Sequence, residues 1–172
     1  YMVVPPTQLA SHAPLFRLWT AALMSAVLSR DGNLPKYRTL FAIDECAQLG
    51  DFGLLPMVYT LARSYGMRVW AFFQDLAQLR RALGEEWPTV INNVAAMQAF
   101  GVANQLAASE LAHVLGDFTD EALRSMDPSH LALQVAGQRG VTGRRPDYLL
   151  DPPYAGLFDP HPLLGGLTPQ RQ

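Results

Sequence analysis

Apolar runs of strand length recur at residues 39–43, 67–73 and 95–100, and each is followed by a stretch of helical spacing that stops at a glycine, Gly66, Gly84 or Gly116. This alternation constrains the fold more than any other feature. A parallel strand can rejoin its sheet only through a long crossover, and a helix is the usual one. The pattern predicts helices over 54–65 and 76–83, and one capped by Asn104 that runs to Leu115, between the strands, and so an α/β chain with a doubly wound, mostly parallel sheet flanked by helices. Ahead of it, residues 1–4 read as a short strand closed by Pro5-Pro6. Ser11 and Pro14 mark the start of a first helix carried by Leu15, Leu18, Trp19, Ala22, Leu23 and Ala26 and ended by Asp31-Gly32-Asn33. That helix is so apolar that it is expected to lie between the sheet and another layer. Residues 130–136 alternate Leu131, Leu133 and Val135 with smaller or polar side chains, as an edge strand would. The segment holding Trp87-Pro88 reads as polar connection, and from Asp151 onward proline and glycine predict an extended tail, 151–172, beyond a folded unit, 1–150.

The run at 39–43 ends in chemistry. Leu40-Phe41-Ala42-Ile43 is followed at once by Asp44 and Glu45. In open α/β sheets ligands bind outside the carboxyl ends of the strands, which is where these acids would stand. The composition is that of a Walker B segment, in which the first acid organises Mg²⁺ on nucleotide phosphates and the second polarises a water. It is equally that of an ordinary strand ending in acidic residues. Gln74 stands in the same relation to the strand at 67–73 and could read a γ-phosphate, or be a turn residue. In the helix at 54–65, Leu54, Val58, Leu61, Ala62 and Tyr65 share one face at 100° per residue, and Arg63 points away from it, as a surface arginine would. Arg139, Arg144 and Arg145 fall in a glycine-containing turn, either a phosphate-facing patch or a solvated loop.

Other features narrow the choices. Lys36 is the sole lysine, and it follows Leu34-Pro35, so no phosphate-cradling GxxxxGK[ST] occurs in the 172 residues. No GxGxxG occurs either. The four histidines, His12, His113, His130 and His161, lack ligand spacing. Cys46 is alone, with no base close in sequence, and reads as a core side chain rather than a nucleophile. With charged residues at 16% and a net charge of −2, there is no overall electrostatic case for nucleic acid, and some surface is expected to be covered. The chain opens at Tyr1, directly in strand-like sequence and without an initiator methionine, so a piece of a longer polypeptide is expected.

The run Phe41-Ala42-Ile43-Asp44-Glu45-Cys46-Ala47-Gln48-Leu49-Gly50 resembles the Walker B segment of the type IV secretion coupling proteins, the TraG-like ATPases of conjugative DNA transfer. Arg63-Ser64-Tyr65-Gly66-Met67-Arg68-Val69-Trp70, then Gln74-Asp75-Leu76-Ala77-Gln78-Leu79, and then Asn93 with Phe100-Gly101-Val102 and the helix to Gly116, resemble the family's following blocks in order. Tyr1-Met2-Val3-Val4-Pro5 looks like the strand after the family's inserted all-α domain. The resemblance covers about residues 1–150 and implies the C-terminal half of a RecA-like P-loop NTPase domain, with ATP and Mg²⁺ as cofactors. By it, Asp44 would hold Mg²⁺ through water, Glu45 would be the catalytic glutamate, and Gln74 the γ-phosphate sensor. Arg63 would reach into the adjoining subunit's site, a contribution worth roughly 10³–10⁵ in rate. The family implies a hexameric ring on the cytoplasmic face of the bacterial inner membrane, anchored by an N-terminal segment absent here. It implies pumping of single-stranded DNA with its relaxase, or of protein effectors, into a secretion channel. Cys46 departs from the family, where an aromatic or other apolar residue is common.

Two further readings stand beside this one. The chain could be a non-hydrolysing interaction module of the same fold. It could also be a Mg²⁺-dependent hydrolase using Asp44 and Glu45, for which Asp75 would be the third carboxylate. Without the phosphate loop, this stretch alone is not expected to hydrolyse ATP.

Overall fold

The computed structural model describes residues 2–30 and 33–157. The chain is α/β, and its strands fall into two sheets: a two-stranded one, β1 (Thr39–Ile43) with β2 (Met67–Ala71), and a three-stranded one, β3 (Ala96–Phe100), β4 (His130–Val135) and β5 (Val141–Arg144).

β1 and β2 are parallel, in register from Thr39↔Met67 to Ile43↔Ala71. α2 (Leu54–Leu61) and a 3₁₀ turn over Ala62–Tyr65 make the crossover between them. Gly66, at φ 68°, ends that turn in the left-handed conformation that glycine adopts without steric cost, and β2 starts on the next residue. One face of this sheet, with Phe41, Ile43, Val69 and Ala71, packs on a core of Met24, Val27, Leu49, Leu55, Val58 and Ala62. α1 (Leu9–Leu28) supplies Met24 and Val27 to that core. The buried stripe of α2 is turned toward Leu55, so Leu61, expected on the core face, is exposed.

The other sheet face corrects an expectation. Leu40, Ala42, Trp70 and Phe72 are exposed, with the Trp70 and Phe72 rings 4.9 Å apart, so these strands are half-buried rather than covered on both faces. α1 is likewise not sandwiched: Leu15, Leu18, Trp19 and Leu23 remain exposed along one side. Among the described residues no second layer reaches either surface. α1 also starts earlier than expected, after a 3₁₀ turn at Pro6–Gln8, which leaves Pro14 inside the helix. There its missing N–H removes one intrahelical bond. Met2, Val3 and Val4 form no strand, and Tyr1 lies outside the described residues.

After β2 come α3 (Leu76–Leu83) and α4 (Trp87–Asn93). α4 was not expected from its polar sequence, but Pro88 sits in its first turn, where a missing N–H costs nothing, and Val90 is buried. α5 (Gln105–Leu115) is capped by Asn104, whose side chain accepts from the amide of Leu106 at 2.8 Å. α6 (Asp120–Arg124), capped by Thr119, was also unexpected, being barely more than one turn long. β3 runs antiparallel to β4, and β4 antiparallel to β5. Among the described residues only β1–β2 is parallel, so these strands form a separate antiparallel sheet rather than part of one mostly parallel sheet; β4 is its central strand, not an edge, and the segment expected as a turn near Arg144 forms β5. This sheet rests on a second core of Ala99, Ala108, Leu115, Leu123 and Ala132. Gly140 permits the β4–β5 connection to close, since a Cβ there would lie 2.6 Å from the Phe118 ring.

Arg80 on α3 connects the two cores. It pairs with Glu110 on α5 at 3.2 Å and lies over the Trp87 ring at 5.1 Å. Beyond β5, Arg144 donates to both oxygens of Asp151 at 2.9 Å, and residues 151–157 form turns rather than extended chain. The rest of the expected tail, 158–172, lies outside the described residues. No helix among the described residues is long and apolar enough to cross a membrane.

Candidate functional site

The parallel pairing of β1 with β2 brings their carboxyl ends to one rim of the sheet. The ladder runs one step past the strands: the Phe72 amide donates to the Ile43 carbonyl and the Cys46 amide to the Phe72 carbonyl, each at 3.0 Å. Asp44 and Glu45 lie between those two anchors, and Gln74 follows two residues after the second strand's last bond. The strand-end spacing puts these three residues at one edge, and the structure places them there.

Glu45 carries the turn. Its φ of 50° and ψ of 44° make it the one described non-glycine residue in the left-handed region. For a residue with a Cβ that conformation costs about 1–2 kcal/mol, and such strain concentrates at functional sites. Its consequence is visible in the neighbours. Asp44 remains exposed, its Oδ1 accepting from the Glu45 amide at 3.0 Å, while Cys46 turns inward and is buried. Burial pushes the Cys46 thiol up to about 12. It therefore stays protonated and unreactive at neutral pH. Tyr59 packs in the same core, and burial first, then Cys46, pushes its phenol above the usual range.

Gln74 faces Glu45 directly. Its Nε2 donates to Glu45 Oε1 at 2.9 Å and to Oε2 at 3.0 Å. Gln78, which the sequence reading had not singled out, holds Gln74 from the other side. The Gln74 amide donates to Gln78 Oε1 at 3.2 Å, and Gln78 Nε2 donates to Gln74 Oε1 at 2.9 Å. Gln78 in turn is placed by the α3 cap, where Asp75 accepts from its backbone amide at 2.6 Å. The available signal was spacing: residues four apart can meet across a helix start, and Asp-x-x-Gln is a capping-box pattern.

The remaining site residues are not brought together with these. Arg63 is exposed on the turn that precedes β2, and Gln74 follows β2. A five-residue strand, about 17 Å, thus separates Arg63 from the rim of its own chain. Lys36 lies ahead of β1, on that same far side, with its ammonium 5.3 Å from the Tyr37 ring. It is no phosphate lysine for this rim. Asp75 is engaged as the α3 cap, and the described residues contain no group of three or more His, Cys, Asp or Glu able to hold a metal ion. A bare-metal hydrolase built on Asp44, Glu45 and Asp75 is not favoured by that arrangement. A single water-bridged acid suits Mg²⁺ differently, because the ion keeps several waters and takes its other ligands from substrate phosphates. Asp44, exposed and with one oxygen held by a backbone amide, fits that use. Arg144 and Arg145 do not form a phosphate-facing patch: Arg144 is paired with Asp151, and Arg145 lies over the Phe100 ring at 5.8 Å.

A cleft of about 440 Å³ lies elsewhere, between α2 and the α3–α4 corner, lined by Pro56, Met57, Thr60, Glu86 and Thr89 among others. The acidic rim is open to solvent instead, with Asp44 and Gln74 exposed.

Comparison with known proteins gives a consistent result. A family model described as the TraM recognition site of TraD and TraG matches residues 38–152. The conjugal transfer protein TraG of Rhizobium radiobacter is 40% identical over 76 residues, which are 44% of this chain and 12% of that protein. The type IV secretion system coupling protein VirD4 of Bartonella henselae is 32% identical over 85 residues, 49% of this chain and 13% of that one. Among solved structures, the bacterial conjugative coupling protein TrwB in complex with sulphate superposes with a TM-score of 0.72 at 19% identity, covering 82% of this chain and 38% of that chain. TrwB in complex with ADP and Mg²⁺ gives 0.70 at 17% identity over the same shares. The chain thus spans well under two thirds of the proteins it matches. The structural likeness establishes the fold, which is shared with part of the conjugative coupling protein TrwB.

Proposed function

The chain belongs to the family described as the TraM recognition site of TraD and TraG, and from that premise we propose that it is the catalytic rim of the motor domain of a type IV secretion coupling protein. The observation that carries this reading is the pairing of Gln74 Nε2 with both oxygens of Glu45 at the ends of adjacent parallel strands. Glu45 is the group that accepts the proton of an attacking water. Gln74, already within hydrogen-bond reach of it, is the group that exchanges this partner for a terminal phosphate oxygen. Asp44 is the residue that would hold the hydration shell of a nucleotide-bound Mg²⁺, which would supply neutralisation of charge on the phosphates. The amides and lysine that cradle the phosphates come from upstream of this sequence. Residues 1–150 then form the C-terminal part of the motor domain, and 151–172 a tail beyond it.

Arg63 serves a neighbouring copy rather than its own. Its exposure and its place at the opposite end of the strands support that assignment, and with it a ring, hexameric by family resemblance. The substrates are single-stranded DNA with its relaxase, or protein effectors, delivered to a secretion channel from the cytoplasmic face of the inner membrane. The family's description adds recognition of a TraM-type protein.

The test is Glu45→Gln in the full-length protein. Turnover of ATP is expected to fall by about 10²–10⁴ while nucleotide binding persists. Hydrolysis at the normal rate would refute the assignment.

A further inference from the structure

Gln74 can act on Glu45 only if its amide is turned the right way. A glutamine side chain presents an oxygen on one side and an NH₂ group on the other. Rotated by half a turn, Gln74 would aim its oxygen at the Glu45 carboxylate, and the contact would become repulsive. The observed orientation is the attractive one, and Gln78 supports it at two points. Its Oε1 accepts from the Gln74 backbone amide, and its Nε2 donates to Gln74 Oε1. We propose that Gln78 is a positioning residue, whose side-chain amide sets the orientation of Gln74 and thereby keeps the Gln74 NH₂ on Glu45. This rests on the catalytic reading of Glu45 and Gln74 above.

A plainer role is available, and the structure separates the two. Asp75 and Gln78 stand at the first and fourth positions of a capping box, and a side chain at the fourth position commonly reaches back to a backbone amide at the helix start. In that pattern the partner is the amide of the cap residue, here Asp75, whereas Gln78 Oε1 accepts from the amide one residue before it, so the cap accounts for Gln78 Oε1 only loosely. It does not account for Gln78 Nε2, which is spent on the Gln74 side chain and satisfies no part of the helix. The helix start already has its cap from Asp75.

Gln78→Glu is therefore the diagnostic substitution. Glutamate is as good as glutamine in a capping box, keeps the length of the side chain, and still accepts from the Gln74 amide. It replaces the one donor by an acceptor. Oxygen would face oxygen, and Gln74, flanked by two carboxylates that compete for one NH₂, would no longer be held with that group on Glu45.

The experiment uses the full-length protein, with ATP turnover measured as kcat and KM and nucleotide affinity measured with a fluorescent ADP analogue. Gln78→Glu is expected to lower kcat about 10- to 100-fold, the range for losing one hydrogen bond to a charged group, with affinity for nucleotide unchanged. In a Gln74→Ala background, where nothing remains to orient, the same substitution is expected to change kcat by less than twofold. Gln78→Met removes both side-chain bonds and carries the same test if Gln78→Glu fails to assemble. A kcat unchanged in both position-78 variants, or a loss of the same size with and without Gln74, would overturn the proposal. Failure of the underlying reading shows separately, as undiminished turnover by Glu45→Gln.

Discussion

Replacing Glu45 by glycine and, separately, by alanine removes the same carboxylate from two different backbones. At φ 50° and ψ 44° the residue occupies a region where any Cβ crowds the following carbonyl. Alanine there retains a cost of about 1–2 kcal/mol, and glycine does not. Against this, glycine surrenders about 0.5–1 kcal/mol more conformational entropy on folding. The net difference favours glycine by about 0.5–1 kcal/mol. It should appear where the turn is pinned, at the Cys46 amide bonded to Phe72 and the Phe72 amide bonded to Ile43. Local opening free energies of that size correspond to about two- to fivefold in amide exchange protection. Exchange measured by mass spectrometry on the full-length protein, over the peptides around Cys46 and Phe72, should show glycine the better protected variant. ATP turnover should be lost in both. Equal or poorer protection in Glu45→Gly would mean that the left-handed turn is not what sets Asp44 and Glu45 on the rim. The site would then have to be explained without stored strain.

Arg63→Ala and Glu45→Gln proteins, each deficient in turnover, should regain part of it when mixed, because some neighbouring pairs then combine an intact Arg63 with an intact Glu45. Absence of any recovery in demonstrably mixed assemblies would place Arg63 outside the reaction. At the other end of the chain, the Asp147 amide, and after it Arg144, hold the Asp151 carboxyl below the ordinary carboxylate range. A folded pKa depressed in this way contributes stability that is present above the unfolded value of about 3.9 and is lost as pH falls through the lower folded value. Protection of the Asp147 amide should therefore decline in that acid window and be insensitive to it in Asp151→Asn. Identical acid profiles would show that the Arg144–Asp151 pairing does not hold the turns after β5.

Local pattern was enough for the elements that carry the rim. Four apolar residues before Asp44, a helix-length interval closed by Gly66, and a second apolar run before Gln74 specify strand, crossover and parallel partner. Parallel pairing then puts both carboxyl ends together. The same reasoning placed the Asn104 cap and the Gly116 stop, because a cap depends on the residue and its immediate neighbours. It missed α4, whose Pro88 and asparagines look like connection until the burial of Val90 is known. It missed β5, where Thr142, Gly143 and Arg144 show no alternation and acquire strand geometry only by pairing with β4. It also took β4 for an edge, since one strand's sequence does not record how many neighbours flank it.

The sequence by itself determined the chemistry available and its order along the chain: two acids after one strand, an amide after the next, and no phosphate-binding lysine. Periodicity and caps are local, and a triplet of polar residues at strand ends inherits their legibility. Tertiary structure alone decided that Gln74 turns its NH₂ onto Glu45, that Gln78 holds it there, and that Glu45 sits in a left-handed turn. Those facts depend on which side chains meet across a sequence separation of 29 between Glu45 and Gln74, and on a rotation about a single bond. Tertiary structure also decided that Leu40, Trp70 and the outer side of α1 remain bare. An apolar residue states only that water is a poor neighbour, and the assembled layers determine whether anything covers it.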